Sequence, residues 1–253
     1  MKTKLFLFLV FFLAFTANAQ EETTEETSKT NISGVIGFSS MYHDFEVGGD
    51  TFRGFVQNNS LTIERKLNKK VSVYADFWGQ YAVAKRHPNE AEEFYFGGGV
   101  VYSPRPTTTI DFYAGNSKLN HGINLQMFGV TVEQETSIGK VPLKFSDNLI
   151  VFRSSNPHEL NGGVVNKMNV SSFVELPKKI KLTGEAGVGF DNGPLGFEGP
   201  ATLLFFEGET EREINKNWSV FFTLRHTRPI AGPTLREPIT SASFGIKFNF
   251  DFK

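Results

Sequence analysis

The chain has 253 residues, a formal net charge of −1 and no cysteine. The charge balance gives no basis for nucleic-acid binding, and the missing thiols exclude disulfides and a lipid anchor on an N-terminal cysteine. Hydrophobic residues make up 40% and mean hydropathy is −0.22, too polar for a bundle of membrane helices.

Residues 1–19 carry the marks of a cleaved secretory signal. Lys2 and Lys4 are followed by an apolar run from Leu5 to Phe15, and Ala17-Asn18-Ala19 precedes Gln20. The run is too short for a comfortable membrane span. Residues 20–30, rich in Glu and Thr, are expected to form a disordered acidic leader. From 31 to 253 the chain reads as one all-β domain.

Period-2 alternation marks strands over 32–45, 55–67, 71–84, 93–102, 107–116, 123–135, 143–153, 164–176, 180–191, 201–214, 218–225 and 241–252. The segments 123–135 and 143–153 alternate poorly. The last is the cleanest: Ala242, Phe244, Ile246, Phe248, Phe250 and Phe252 take one face, and Ser, Gly, Lys, Asn and Asp the other. Connections alternate in length. The short ones are 68–70, 103–106, 136–142, 177–179 and 215–217; the long ones lie near 46–54, 85–92, 117–122, 154–163, 192–200 and 229–240. Twelve strands with both termini at the short-turn end predict a transmembrane antiparallel up-and-down β-barrel, with short periplasmic turns, longer outer loops and no transmembrane helix. The final strand is then expected to close the barrel on 32–45.

Aromatic residues on the outward parity suggest two interfacial girdles. Tyr102, Trp218, Phe250 and Phe252 fall at the short-turn ends, and Tyr42, Tyr81, Phe94 and Phe190 at the long-loop ends. The alternative is that aromatics simply favour strands. Arg65 is outward but near a strand end, where it can snorkel.

The inward face carries the charge. Glu207, Glu209, Glu211 and Glu213 share one parity of the tenth strand. Such a ladder requires compensating cations. Antiparallel pairing offers Lys181, with Arg225 and Lys247 farther round the wall. Asp76, Gln80, Lys167 and Glu185 complete the expected lumen set. A charged constriction and a plain salt-bridge network are both open readings. A bulge at Phe205 would undo the parity.

Catalysis has little support. The histidines are His43, His87, His121, His158 and His226. His43-Asp44 and His158-Glu159 are common His–acid pairs, and the short His-x-Ser pattern of outer-membrane phospholipases is absent. Glu90, Glu92 and Glu93 read as a solvated loop rather than a cation site. Gly97-Gly98-Gly99 lies within a strand, where it permits bending or close packing of an inward side chain. No metal or cofactor is implied.

Across 31–253 this pattern resembles the small bacterial outer-membrane β-barrel channels, which include twelve-stranded porins for oligosaccharides and nucleosides. Thr51-Phe52-Arg53-Gly54-Phe55, followed by Val73-Tyr-Ala-Asp-Phe-Trp-Gly79, is also similar to the N-terminal portion of TorF-type porins. The resemblance implies residence in the outer membrane of a Gram-negative bacterium, contact with its lipid, insertion by the barrel-assembly machinery and passive diffusion of small hydrophilic solutes. Phe252 is followed by Lys253, so the terminal aromatic insertion signal is displaced by one residue. A non-conducting structural or adhesive barrel with partner-binding loops is the first alternative, and an outer-membrane hydrolase the second. The solute and the oligomeric state stay open.

Overall fold

The computed structural model describes residues 29–44, 49–83, 92–119, 124–155, 162–193, 200–232 and 238–252. The expected signal and nearly all of the leader lie outside them. Twelve strands run in chain order: β1 (Thr30–Asp44), β2 (Gly49–Lys66), β3 (Val71–Ala82), β4 (Glu92–Arg105), β5 (Thr108–Leu119), β6 (Asn124–Ile138), β7 (Val141–Ser154), β8 (Gly163–Leu176), β9 (Ile180–Asp191), β10 (Ala201–Asn215), β11 (Trp218–Ala231) and β12 (Ile239–Phe252). Each pairs antiparallel with its sequence neighbours, and β1 pairs with β12 from Thr30↔Phe252 to Ser39↔Ser243. The sheet is a closed barrel without edges, as the alternation predicts.

Three connections differ from expectation. β2 begins at Gly49, inside the segment read as a long loop, because the β1–β2 hairpin continues to Asp44↔Gly49. Register shifts at Ser39/Met41 and Tyr42/His43 accommodate Gly and Asp residues that otherwise signal a turn. β5 runs on to Leu119, which shortens the third long connection. The turn expected over 136–142 is only Gly139-Lys140: Ile138 pairs with Val141, and Gly139 takes the positive φ of 62° that a two-residue hairpin needs. Two long connections are thus shorter than expected and one short turn is tighter, and from β2 onward the alternation of short and longer connections holds.

The exterior is apolar on every strand. Ile36, Phe77, Phe96, Phe112, Phe128, Phe145, Val174, Phe206, Phe222 and Phe244 face outward, and each is between 41% and 53% exposed. A water-soluble surface does not carry a continuous apolar belt of this kind, whereas hydrocarbon favours it. Tyr102, Trp218 and Phe252 lie at its short-turn edge, and Phe94 and Phe190 at the other. Tyr81 lies near the end of β3 on the same outward parity, and Phe250 packs edge-on against Trp218 with centroids 5.7 Å apart. The side chain of Tyr42 lies outside the described residues.

Inward glycines accept flat aromatic rings. Tyr74 covers Gly99, Tyr95 covers Gly97 and Gly115, Tyr113 covers Gly129, and Phe221 lies against Gly245. Two of these rings reach across the glycine strand to a polar partner. Tyr74 Oη donates to Asp111 Oδ2 at 2.8 Å, and Tyr113 Oη to Asn148 Oδ1 at 2.8 Å. At Gly245 a Cβ would instead press on backbone, with Gly37 Cα only 2.6 Å away. Gly245→Ala is expected to cost about 1–3 kcal/mol as an overpacking change. Gly184→Ala, which meets nothing within 4 Å, is the neutral control. Urea unfolding from lipid vesicles checks both.

Candidate functional site: the lumen

The interior divides into two halves with different chemistry. At the short-turn end the inward side chains are mostly polar and, apart from residues such as Ser72 and Ser219, accessible. At the long-loop end they are buried.

The accessible half is built around the tenth strand. β10 pairs without interruption to β9 from Ala201 to Arg212, so no bulge occurs at Phe205 and the Glu parity holds. Glu211 stands opposite Lys181, Glu207 opposite Glu185 on one side and Arg225 on the other. Lys247 Nζ donates to Glu209 Oε1 at 2.5 Å and Glu211 Oε2 at 2.8 Å, reaching across β11. Ser219 Oγ donates to Glu211 at 2.5 Å and Thr223 Oγ1 to Glu209 at 3.2 Å. Glu213 sits at the rim, paired with Lys179 of the β8–β9 turn. Lys167 pairs with Glu185 at 3.4 Å, and Asn169 Nδ2 donates to the same carboxylate at 2.6 Å. The sequence-read lumen residues thus all face inward, and their bonds form separate groups around Lys247, around Glu185 and at the Glu213 rim.

On the facing wall the sequence pointed only to Asp76 and Gln80. Thr62 Oγ1 donates to Asp76 at 2.9 Å, while Asp111 is held by Tyr74. Glu64 shares this wall, facing Tyr74 across the β2–β3 pair. Lys144 pairs with Glu133 at 2.9 Å on β6–β7. Glu135, Glu175 and Asp251 add further inward carboxylates towards the rim. A cavity of about 670 Å3 opens between Glu133, Lys144, Lys167 and Glu185, and another of about 450 Å3 between Thr62, Glu211 and Lys247. On the inward parity of the described strands, carboxylates outnumber Lys and Arg by about two to one. Outward charges near the belt edges are mostly basic: Arg65, Lys118, Arg153, Arg212 and Arg228. The near-zero net charge conceals this separation.

The buried half draws on all twelve strands. Leu125, Met127, Ile150, Phe152 and Val165 form a packed cluster, joined by Tyr95 and Tyr113. Val56, Ala82, Ala201, Leu203, Phe205 and Ile239 are likewise at most 6% exposed. Ser39, Gln80, Ser117, Asp191, Thr227 and Ser241 are buried among them. Gln80, read as a lumen residue, faces inward and lies in this buried half. Phe205 marks the boundary. Its ring lies over Gly187, with Lys167 Nζ 4.5 Å and Arg225 Cζ 5.6 Å from its centroid.

Glu93 corrects another reading. It is not in a solvated loop but on β4, facing inward and 0% exposed. Glu90 and the side chain of Glu92 lie outside the described residues, as do His87, His121, His158 and the side chains of His43 and Asp44. His226 is on β11 rather than in a loop, hydrogen-bonded to Thr240 Oγ1 at 2.8 Å. Among the described residues no group of three His, Asp or Glu is placed to hold a metal ion.

Solved barrels share this architecture. An outer-membrane channel from Pseudomonas putida F1 aligns with TM-score 0.56 at 8% identity, covering 91% of this chain and 98% of its own. The fold is that of outer-membrane channels and porins. The KdgM porin, also solved with disordered oligogalacturonate, aligns at 0.52 and 9% identity over 87% and 99%. The translocator domain of the autotransporter NalP from Neisseria meningitidis aligns at 0.51 and 12% identity over 94% and 92%. No protein-family model matches the sequence, and no curated protein is significantly similar to it.

Proposed function

We propose that the chain is a Gram-negative outer-membrane channel. It admits small hydrophilic solutes, cations in preference to anions, to a vestibule at its short-turn end. The sealed layer at the long-loop end controls whether they cross. One observation carries this reading: the lumen is an accessible, acid-rich cup closed by a buried, largely apolar layer. Fixed carboxylates on a low-dielectric wall raise the local concentration of cations and repel anions. A polyanion such as the oligogalacturonate found with KdgM has the wrong charge for this cup. The secretory signal over 1–19 and insertion by the barrel-assembly machinery belong to the same reading.

Planar-bilayer recording under a tenfold KCl gradient tests it. The expected result is small or infrequent unitary currents whose reversal potential has the sign for K+ over Cl−. A reversal potential favouring Cl− would reject the cation preference. The sealed layer also favours a second reading, a non-conducting barrel whose loops bind a partner. Complete silence at every voltage, with folded protein in the bilayer, would support that reading instead.

A further inference from the structure

The outward file of β7 reads Val141, Leu143, Phe145, Asp147, Leu149, Val151, Arg153. Arg153 marks the belt edge, but Asp147 sits at the middle of the 14-residue strand. With a rise near 3.3 Å per residue and a tilt near 40°, Asp147 is about 15 Å from either end. That is mid-hydrocarbon. Its cross-strand neighbours Val132 and Met168 face outward at 42% and 40% exposure. An ionisable group facing lipid at this depth is costly and marks a functional surface.

Asp147 has one polar neighbour. Asn166 of β8 donates from Nδ2 to Oδ1 at 2.6 Å and, through a second and longer bond, to the Asn148 carbonyl at 3.4 Å. A carboxylate accepts more than one donor, and an amide nitrogen carries two hydrogens. The pair therefore keeps acceptor capacity on the carboxylate, and the long bond to the Asn148 carbonyl can be exchanged for a shorter one outside the barrel.

We propose that Asp147 and Asn166 form the centre of a two-fold interface between two copies of this chain within the membrane. Lipid tails offer no donor, and headgroups do not reach this depth. A second copy, turned by 180° about the membrane normal, keeps every height and exchanges left with right. The partner's Asn166 then faces Asp147, and the partner's Asp147 faces Asn166. Donors and acceptors alternate round a closed ring, which is the self-complementarity an isologous contact requires. Phe145, Leu149, Val132 and Met168 supply an apolar rim. A second outward polar pair, Gln57 and Asn59 on the opposite wall, is neutral and bonded within its own strand at 3.2 Å, while the outward pairs Asn116–Gln126 and His226–Thr240 hold no carboxylate and lie towards the long-loop edge of the belt. The inference requires a barrel that spans a membrane, not one that conducts.

The chain has no cysteine, so an introduced one is unique. Leu149→Cys in the full chain, treated with a short bismaleimide in native membranes, is expected to give a cross-linked dimer. Ile36→Cys on the far wall is expected to stay monomeric. Adding Asp147→Leu to the Leu149→Cys chain should reduce its cross-linking by roughly tenfold, the loss expected for one or two membrane hydrogen bonds. Adding Asp147→Asn should preserve it. Heat-modifiable electrophoretic migration reports folding, and Asn166→Leu replaces Asp147→Leu if that variant does not fold. A monomeric Leu149→Cys protein, equal cross-linking at Ile36→Cys, or indifference to both Leu variants would overturn the interface.

Discussion

Replacing Leu203 and Phe205 together by Ala is expected to raise unitary conductance several-fold, or to produce channels where the parent chain shows none. Both side chains point into the lumen at 2–3% exposure. Phe205 sits where the charged vestibule meets the buried layer, beneath Lys167 and Arg225. Removing the ring exposes Gly187 and takes away the face over which Lys167 and Arg225 lie. In the proposed channel this layer, apolar at Leu203 and Phe205, is the barrier, and because apolar constrictions exclude ions by dewetting, widening it by a ring and an isobutyl group acts steeply. The change also creates a cavity, with about 3–5 kcal/mol expected for a Phe truncation and about 2–5 for a Leu. Folding is therefore checked by heat-modifiable migration before recording. A folded double variant with unchanged currents would show that the barrier lies elsewhere. The cluster of Leu125, Met127, Ile150, Phe152 and Val165 would then be the next segment to open.

The same layer explains what the sequence conveyed and what it hid. Strand number, closure and the outward face were legible because lipid imposes apolar side chains at every second position. The β10 parity was legible because four Glu alternate with other residues along one strand. The buried half was not. Many of its inward residues are apolar too, so the contrast between faces fades. That is why β6 and β7 alternated poorly: Met127 and Phe128, or Ile150, Val151 and Phe152, are apolar on both sides of the wall. Consecutive apolar residues at the long-loop ends, such as Val164-Val165 and Leu203 to Phe206, were the available signal. Glu93 misled for a related reason. A carboxylate beside two others reads as a loop, and only the pairing Gln80↔Glu93 places it inside. Asp147 stayed hidden because a strand's outward assignment tolerates one polar exception, and its partner Asn166 is on another strand.

Lys247→Met is expected to increase cation over anion selectivity while destabilising the barrel. Lys247 is the cation bonded to both Glu209 and Glu211, at 2.5 and 2.8 Å. Its side chain is 30% exposed, against 21% and 27% for the two acids, so the trio is neither fully screened nor fully buried. Breaking a buried pair typically costs about 3–5 kcal/mol and a surface pair at most about 1. An intermediate loss of about 1–3 kcal/mol is therefore expected here, read from denaturant unfolding in vesicles. The selectivity change follows from charge: two carboxylates lose their counter-ion beside the 450 Å3 cavity that Lys247 also lines. Glu209→Gln with Glu211→Gln leaves Lys247 unopposed and should shift the reversal potential the other way. Ionic strength separates this electrostatic origin from a change of pore shape. The screening length is about 10 Å at 0.1 M salt and about 3 Å at 1 M. Opposite shifts for the two variants at about 0.1 M, converging towards the parent at about 1 M, are what a charge filter produces. Shifts of the same sign, or shifts indifferent to salt, would mean that the Lys247 network holds the wall in shape without selecting what enters it.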